Sequence, residues 1–209
     1  MKVGSGLEIV KDYLFPHFCI KCGNEGEWWC LNCRKDKTEI INRAEGELKC
    51  LTALFNYQKN EQIETLIKEF KYGLVRDLEH LWREMILENK ISFSKDMVLI
   101  PVPLYKRRQR ERGYNQAEML GQILSSFTGC ILQKDILVRN RETKQQAKLG
   151  LQERLENVKG AFEHISSQIP KKIVLVDDVF TTGATMNECA RVLRKSGATE
   201  ICGFVLAHG

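Results

Sequence analysis

The most constraining feature of this chain is the stretch from Ile173 to Thr185, where an apolar run ends in two adjacent acids and passes through a hydroxyl-rich, glycine-containing turn. A run such as Ile173 to Val176, without polar alternation, predicts a strand buried on both faces. The residues after Gly183 follow helical spacing to Lys195, so the turn joins a strand to a helix. Gly183 lets backbone approach an anion closely, and the unpaired N–H groups of the helix start point outward. Thr181, Thr182 and Thr185 add hydroxyl donors, with Ala184 beside them, so an anion can be held without any lysine. Asp177 and Asp178 stand at the strand's carboxyl end, where open α/β sheets bind ligands. A simpler role for Asp178 or one threonine is to cap the helix, which accounts for one such residue but not for all of them.

The rest of the chain extends this pattern. Leu48 to Tyr57 reads as a strand, and Ile63, Leu66, Ile67 and Phe70 as the buried face of a helix that Gly73 ends. A second helical stripe runs through Leu74, Val75, Leu78, Leu81, Trp82, Met85 and Ile86. Strands are expected at Met97 to Val102, near Cys130 to Val138, at Lys172 to Val179 and at Glu200 to Ala207. Helix faces fall at Ala117 to Phe127 and from about Gly183 to Lys195. This alternation predicts an α/β domain with a mainly parallel sheet covered by helices. The expected divisions are a cysteine-rich module over 1–47, a joining segment over 48–96 and the main domain over 97–209.

Eight cysteines are present, and four of them, Cys19, Cys22, Cys30 and Cys33, form two Cys-x-x-Cys pairs. Four thiolates at this spacing can converge on one tetrahedral ion, which points to structural Zn²⁺, with thiol redox work and free thiols as alternatives. His17 is a possible substitute ligand. Cys50, Cys130, Cys189 and Cys202 sit among apolar neighbours and read as small buried residues. No apolar run approaches the roughly 20 residues of a membrane helix, and the first residues lack a secretory pattern, so a cytoplasmic protein without membrane insertion is expected.

The net charge of +5 is modest, but its distribution is uneven. Lys106, Arg107, Arg108, Arg110 and Arg112 crowd one segment, and Arg139 to Lys148 makes a second basic stretch. Each suits a polyanion or is simply a solvated face.

The stretch Ile173 to Thr185 resembles the signature of type I phosphoribosyltransferases. That likeness implies a ribose held by Asp177 and Asp178 and a 5′-phosphate held by Thr181, Thr182, Gly183, Ala184 and Thr185. It also implies a diphosphate loop at Val102, Pro103, Leu104 and Tyr105, often with a strained peptide bond, for which Pro103 is the cis candidate. Pro101 and Pro103 could equally stiffen a strand exit. Arg112-Gly-Tyr-Asn-Gln116, the long polar stretch carrying Arg139, Arg141, Thr143, Gln146, Arg154 and Asn157, the cysteine pairs, and Phe70-Lys-Tyr-Gly73 together resemble the ComF family.

Three expectations come with that resemblance. A lid carries Arg141 and Arg154, which stabilise the leaving diphosphate or merely anchor the loop. Mg²⁺ accompanies phosphoribosyl diphosphate. The protein serves DNA uptake in natural transformation, either transferring phosphoribosyl to an unidentified acceptor or acting without turnover on single-stranded DNA beside a competence helicase. Lys106, Arg107, Arg108, Arg110 and Arg112, with Trp28 and Trp29 as stacking surfaces, are the DNA-binding candidates. Purified protein is expected to carry close to one equivalent of zinc, which serine replacements at the four cysteines abolish; a wild type free of metal contradicts the assignment.

Overall fold

This computed structural model describes residues 16–35, 37–72, 78–143 and 151–209, apart from the side chains of Leu151, Gln152, Arg154 and Leu155. Gly73, Leu74, Val75, Gln146, Lys148 and the Arg154 side chain therefore lie outside the described residues. The chain divides into two units, 1–38 and 39–209. Among its described residues the smaller unit holds the cysteine pairs and a short helix, α1 (Leu31–Arg34).

The larger unit is built on strands β1 (Ile41–Glu45), β2 (Leu48–Asn56), β3 (Val98–Pro101), β4 (Ile131–Leu132), β7 (Lys172–Val176), β8 (Val179–Phe180) and β9 (Glu200–His208). Their order is β1-β2-β9-β7-β3-β4, with β8 paired to β9. Every pairing is parallel except β1 with β2. The inner strands are buried on both faces, which is why β7 and β9 read as unbroken apolar runs. Helices α2 (Glu61–Tyr72), α3 (Leu78–Glu88), α4 (Lys106–Arg112), α5 (Gln116–Thr128), α6 (Leu151–Val158) and α7 (Ala184–Lys195) complete the unit. The expected faces of α2 and α5 are buried at Ile63, Leu66, Ile67, Phe70, Ala117, Leu120, Ile123 and Leu124.

Several expectations need correction. Strand β1, placed in the 1–47 module by sequence, is an edge strand of the main sheet, and β2 is integral to that sheet. The single strand expected near Cys130 to Val138 is two: β4 joins the main sheet, whereas β5 (Leu137–Arg139) pairs antiparallel with β6 (Phe162–His164) in a separate ribbon. Helix α4 has no buried residue, so hydrophobic periodicity could not announce it. Cys50 and Cys202 are not independent small core residues. They face each other across β2 and β9 and are joined as a disulfide, a pairing between positions 152 apart in sequence that no local pattern reveals. Cys130 and Cys189 are buried free thiols. All peptide bonds among the described residues are trans, Pro103 included. No helix among them is long and apolar enough to cross a membrane.

What positions the site is a reversal of winding direction. From β3 the chain passes through α5 to β4 on one side, whereas from β7 it passes through α7 to β9 on the other. Strands β3 and β7 are neighbours, with Pro101 beside Val176, so their carboxyl ends open into one crevice at the switch point.

Candidate phosphate and ribose site

The crevice is a cleft of about 360 Å³. Val102, Pro103 and Leu104 line it after β3, Asp177 and Asp178 after β7, and Thr181 and Thr185 at the start of α7. The Val102 amide donates to the Val176 carbonyl at 2.9 Å, which locks the two strand exits together.

Gly183 is the N-cap of α7, with φ of 72° and no side-chain cap. A side chain there would collide with the Phe180 ring and Asn187, so the tight approach of turn to helix requires glycine. Gly183 holds the capping position in place of Asp178 or a threonine, and Thr182 Oγ1 accepts from the Ala184 amide at 3.4 Å, so the positive end of a three-turn helix lies beside Thr181 and Thr185 at the cleft's edge.

Asp177 is half-buried at the end of β7, and its pKa is pushed up to about 7; desolvation is the main cause, and the Asp178 carboxylate adds to it. The Asp178 amide donates to Asp177 Oδ1 at 2.9 Å and works in the opposite sense. Lys71, at the end of α2, places Nζ 3.1 Å from Asp178 Oδ1. Burial acts to lower the Lys71 pKa, but Asp178 and Asp177 outweigh it and hold the ammonium above its ordinary value. The acid pair therefore has an internal cation.

Lys71 is fixed in place by the Arg112-to-Gln116 motif. Tyr114 Oη donates to the Phe70 carbonyl, and Gln116 Nε2 donates to the same oxygen at 3.1 Å. The Arg112 guanidinium lies 4.9 Å from the centre of the Tyr72 ring and donates to Gln116 Oε1 at 3.1 Å. Asn115 caps α5 by accepting from the Ala117 amide at 3.0 Å and donates to the Val102 carbonyl at 3.1 Å. The motif thus joins the end of α2 to the loop after β3.

The cleft also takes in residues that sequence reasoning did not assign to it: Tyr57, Lys71, Tyr72, Asn115, Gln116 and Arg139. Lys71 and Tyr72 belong to the Phe70-to-Gly73 motif, which was the available signal. Arg139 is 8% exposed and lies with its guanidinium carbon 5.2 Å from the Phe162 ring centre. It donates to Thr143 Oγ1, but its Nε has no partner among the described residues. An unmet donor of this kind costs roughly 1–3 kcal/mol or more. Burial, helped by the charge of Arg108, brings the Arg139 pKa down to about 10.

Other expected residues lie elsewhere. Arg141 donates to the carbonyls of Asn157 (3.2 Å) and Lys159 (2.8 Å), closing the carboxyl end of α6, and does not line the cleft. Of the basic segment, Arg108 and Arg112 line the cleft, whereas Lys106, Arg107 and Arg110 are exposed outside it. Tyr105 is the N-cap of α4, outside the lining. In the smaller unit, the sulphurs of Cys19, Cys22, Cys30 and Cys33 all lie within 4.8 Å of one another. Cys22 and Cys30 are 3.7 Å apart, close to the roughly 3.8 Å separating thiolates bound tetrahedrally at about 2.3 Å. Burial opposes ionisation of Cys19, yet backbone amides of Cys22, Cys30 and Lys21 bring its pKa down to about 6. His17 stands outside this group, its ring 4.9 Å from that of Trp28.

The acid pair makes a pH prediction. An unfolded aspartate titrates near 3.9, roughly three units below Asp177 in the fold. Between about pH 4 and pH 7 the folded chain holds more protons than the unfolded one, so stability falls as pH rises through that window. Asp177→Asn removes the penalty. The ligand-free variant is expected to melt above the wild type at about pH 8 and to converge with it near pH 4; an unchanged gap across that range contradicts the assignment.

Residues 115–208 match the phosphoribosyl transferase domain family. The chain is 36% identical over 205 residues to Competence protein F of Haemophilus influenzae, covering 93% of this chain and 85% of that protein. It is 29% identical over 194 residues to Competence protein ComFC of Streptococcus pneumoniae, covering 88% and 82% of the two chains. DNA utilization protein YhgH of Escherichia coli O157:H7 is 38% identical over 103 residues, which is 49% of this chain and 45% of that protein. With a likeness that runs nearly end to end and a phosphoribosyl transferase domain around the cleft, the chain belongs to the ComF family of competence proteins.

Proposed function

We propose that this protein binds phosphoribosyl diphosphate with Mg²⁺ and serves the uptake and use of DNA in natural transformation. The observation that carries the ligand assignment is the meeting, at one switch point, of an acid pair with Asp178 buried and a glycine-led helix start bearing threonine hydroxyls. In this reading the α7 start from Thr181 to Thr185 takes the 5′-phosphate, Asp177 and Asp178 accept from the ribose hydroxyls, and Val102 to Tyr105 offer backbone donors to the diphosphate. The carboxylates are hard oxygen donors, so they fit a Mg²⁺ ion carried in with the ligand, where it would neutralise diphosphate charge. Lys71 offsets one carboxylate charge of the pair.

The reaction such a site supports is attack of a nitrogen acceptor on C1 of the ribose with departure of diphosphate. The acid pair would steady the ribose as positive charge builds at that carbon. The role in DNA handling rests on the relatives, two of which are competence proteins and one a DNA utilization protein. The exposed Lys106, Arg107 and Arg110 on α4 support a contact with single-stranded DNA that needs no turnover. The four cysteines hold structural Zn²⁺ in this reading.

Calorimetric titration of phosphoribosyl diphosphate with Mg²⁺ tests the central assignment. Micromolar binding to the wild type, lost in the Asp177→Ala, Asp178→Ala double variant, is the expected result; a wild type that binds nothing contradicts it. Titration of a single-stranded oligonucleotide over a range of salt tests the DNA contact. Three phosphate contacts should give a slope of about −2 in log affinity against log salt, and a flat response would exclude backbone binding by α4.

A further inference from the structure

The main chain of Asp178 is fixed twice over. Its carbonyl accepts from the Leu206 and Ala207 amides at 3.0 and 3.2 Å, and its amide donates to Asp177 Oδ1. Its carboxylate is held from elsewhere: Lys71 Nζ, 3.1 Å from Oδ1, is its side-chain partner among the described residues, and the lysine side chain is only 24% exposed. An ion pair taken largely out of water returns little net stability, because desolvation of both charges offsets their attraction. What it does fix is direction. Two adjacent carboxylates in one cleft repel and turn apart, whereas an ammonium on one oxygen holds that group in place. The ammonium is itself built in. Lys71 stands in the last turn of α2, where carbonyls lack intrahelical partners. The Phe70 carbonyl finds two outside the helix, the Tyr114 hydroxyl and Gln116 Nε2, and the Phe70 ring packs on those of Trp82 and Tyr114. The phosphoribosyl transferase match begins at residue 115, so Lys71 reaches the acid pair from outside the matched stretch.

We propose that Lys71 is a positioning residue for the ribose: its ammonium holds the Asp178 carboxylate in the orientation that accepts from a ribose hydroxyl, and Tyr114 acts through Lys71 by fixing the end of α2. Lys71 engages one carboxylate oxygen of Asp178, and the second has no hydrogen bond among the described residues. A carboxylate with one oxygen fixed and the other open, on the lining of a cleft, is set to take a hydroxyl donor. The inference rests on the phosphoribosyl diphosphate reading and deepens it, because recognition of the sugar hydroxyls then depends on α2 as well as on the acid pair. Selectivity for a hydroxylated sugar over a deoxygenated one is the property Lys71 sets, since a carboxylate turned away from the cleft gains nothing from the hydroxyls.

Calorimetry with ribose 5-phosphate and with its 2,3-dideoxy analogue tests it, on wild type, Lys71→Met, Tyr114→Phe and the double variant. The wild type is expected to bind ribose 5-phosphate at least about tenfold more tightly than the analogue. Lys71→Met should bring the two affinities within about twofold of each other, by weakening ribose 5-phosphate and leaving the analogue unchanged. Tyr114→Phe should reduce the preference by roughly threefold or more, and should add nothing further in the Lys71→Met background. A preference retained in Lys71→Met, or equal losses for both sugar phosphates, which a merely structural role would give, overturns the inference alone. If Lys71→Met lacks a cooperative melting transition, Tyr114→Phe, which removes a single oxygen atom, decides the question by the same comparison. A wild type that binds neither sugar phosphate, or both equally, refutes the ribose reading and the inference together.

Discussion

The pairing of β3 with β7 is the constraint on which the rest of the site depends. Because these two neighbours lead the chain away in opposite directions, the crossovers through α5 and α7 diverge from the space between their carboxyl ends. The loop after β3 and the acids after β7 therefore face one another across a crevice, tied by the hydrogen bond from Val102 to Val176. Backbone donors, carboxylates and a helix start meet there as a consequence of topology, with no long side chain needed to bring them together.

Around this crevice, two short motifs distant in sequence act as one part. The end of α2 carries Lys71 to Asp178, and the residues before α5 hold that end through Tyr114, Gln116 and Arg112. Asn115 meanwhile ties the same segment to Val102. The region 48–96, which sequence alone treats as a joining segment, thus supplies both a strand of the sheet and the internal cation of the acid pair. That cation and the buried Arg139 both act on the acid pair, each working against the upward push that burial gives the Asp177 pKa.

Legibility in the sequence followed burial. Strands β7 and β9, and the faces of α2 and α5, were visible because burial on one or both faces leaves a periodic or continuous apolar record. The turn at Gly183 was visible because its residue types have few other uses together. Helix α4 left no such record, since none of its residues is buried, and β5 and β6 are too short to show alternation. Arg139 and Arg141 could not be told apart in a basic stretch. Only the fold decides that the first turns inward onto Phe162 and the second outward onto the end of α6. The Cys50–Cys202 pairing was hidden for the related reason that strand register is a property of the sheet.

A crystal structure of the protein with Mg²⁺ and an unreactive analogue of phosphoribosyl diphosphate tests this account most directly. The account predicts the 5′-phosphate at the start of α7 beside Gly183, the ribose hydroxyls on Asp177 and Asp178, and the diphosphate against the loop from Val102 to Tyr105. A ligand bound in the reverse orientation, or seated away from the crevice between β3 and β7, would contradict it.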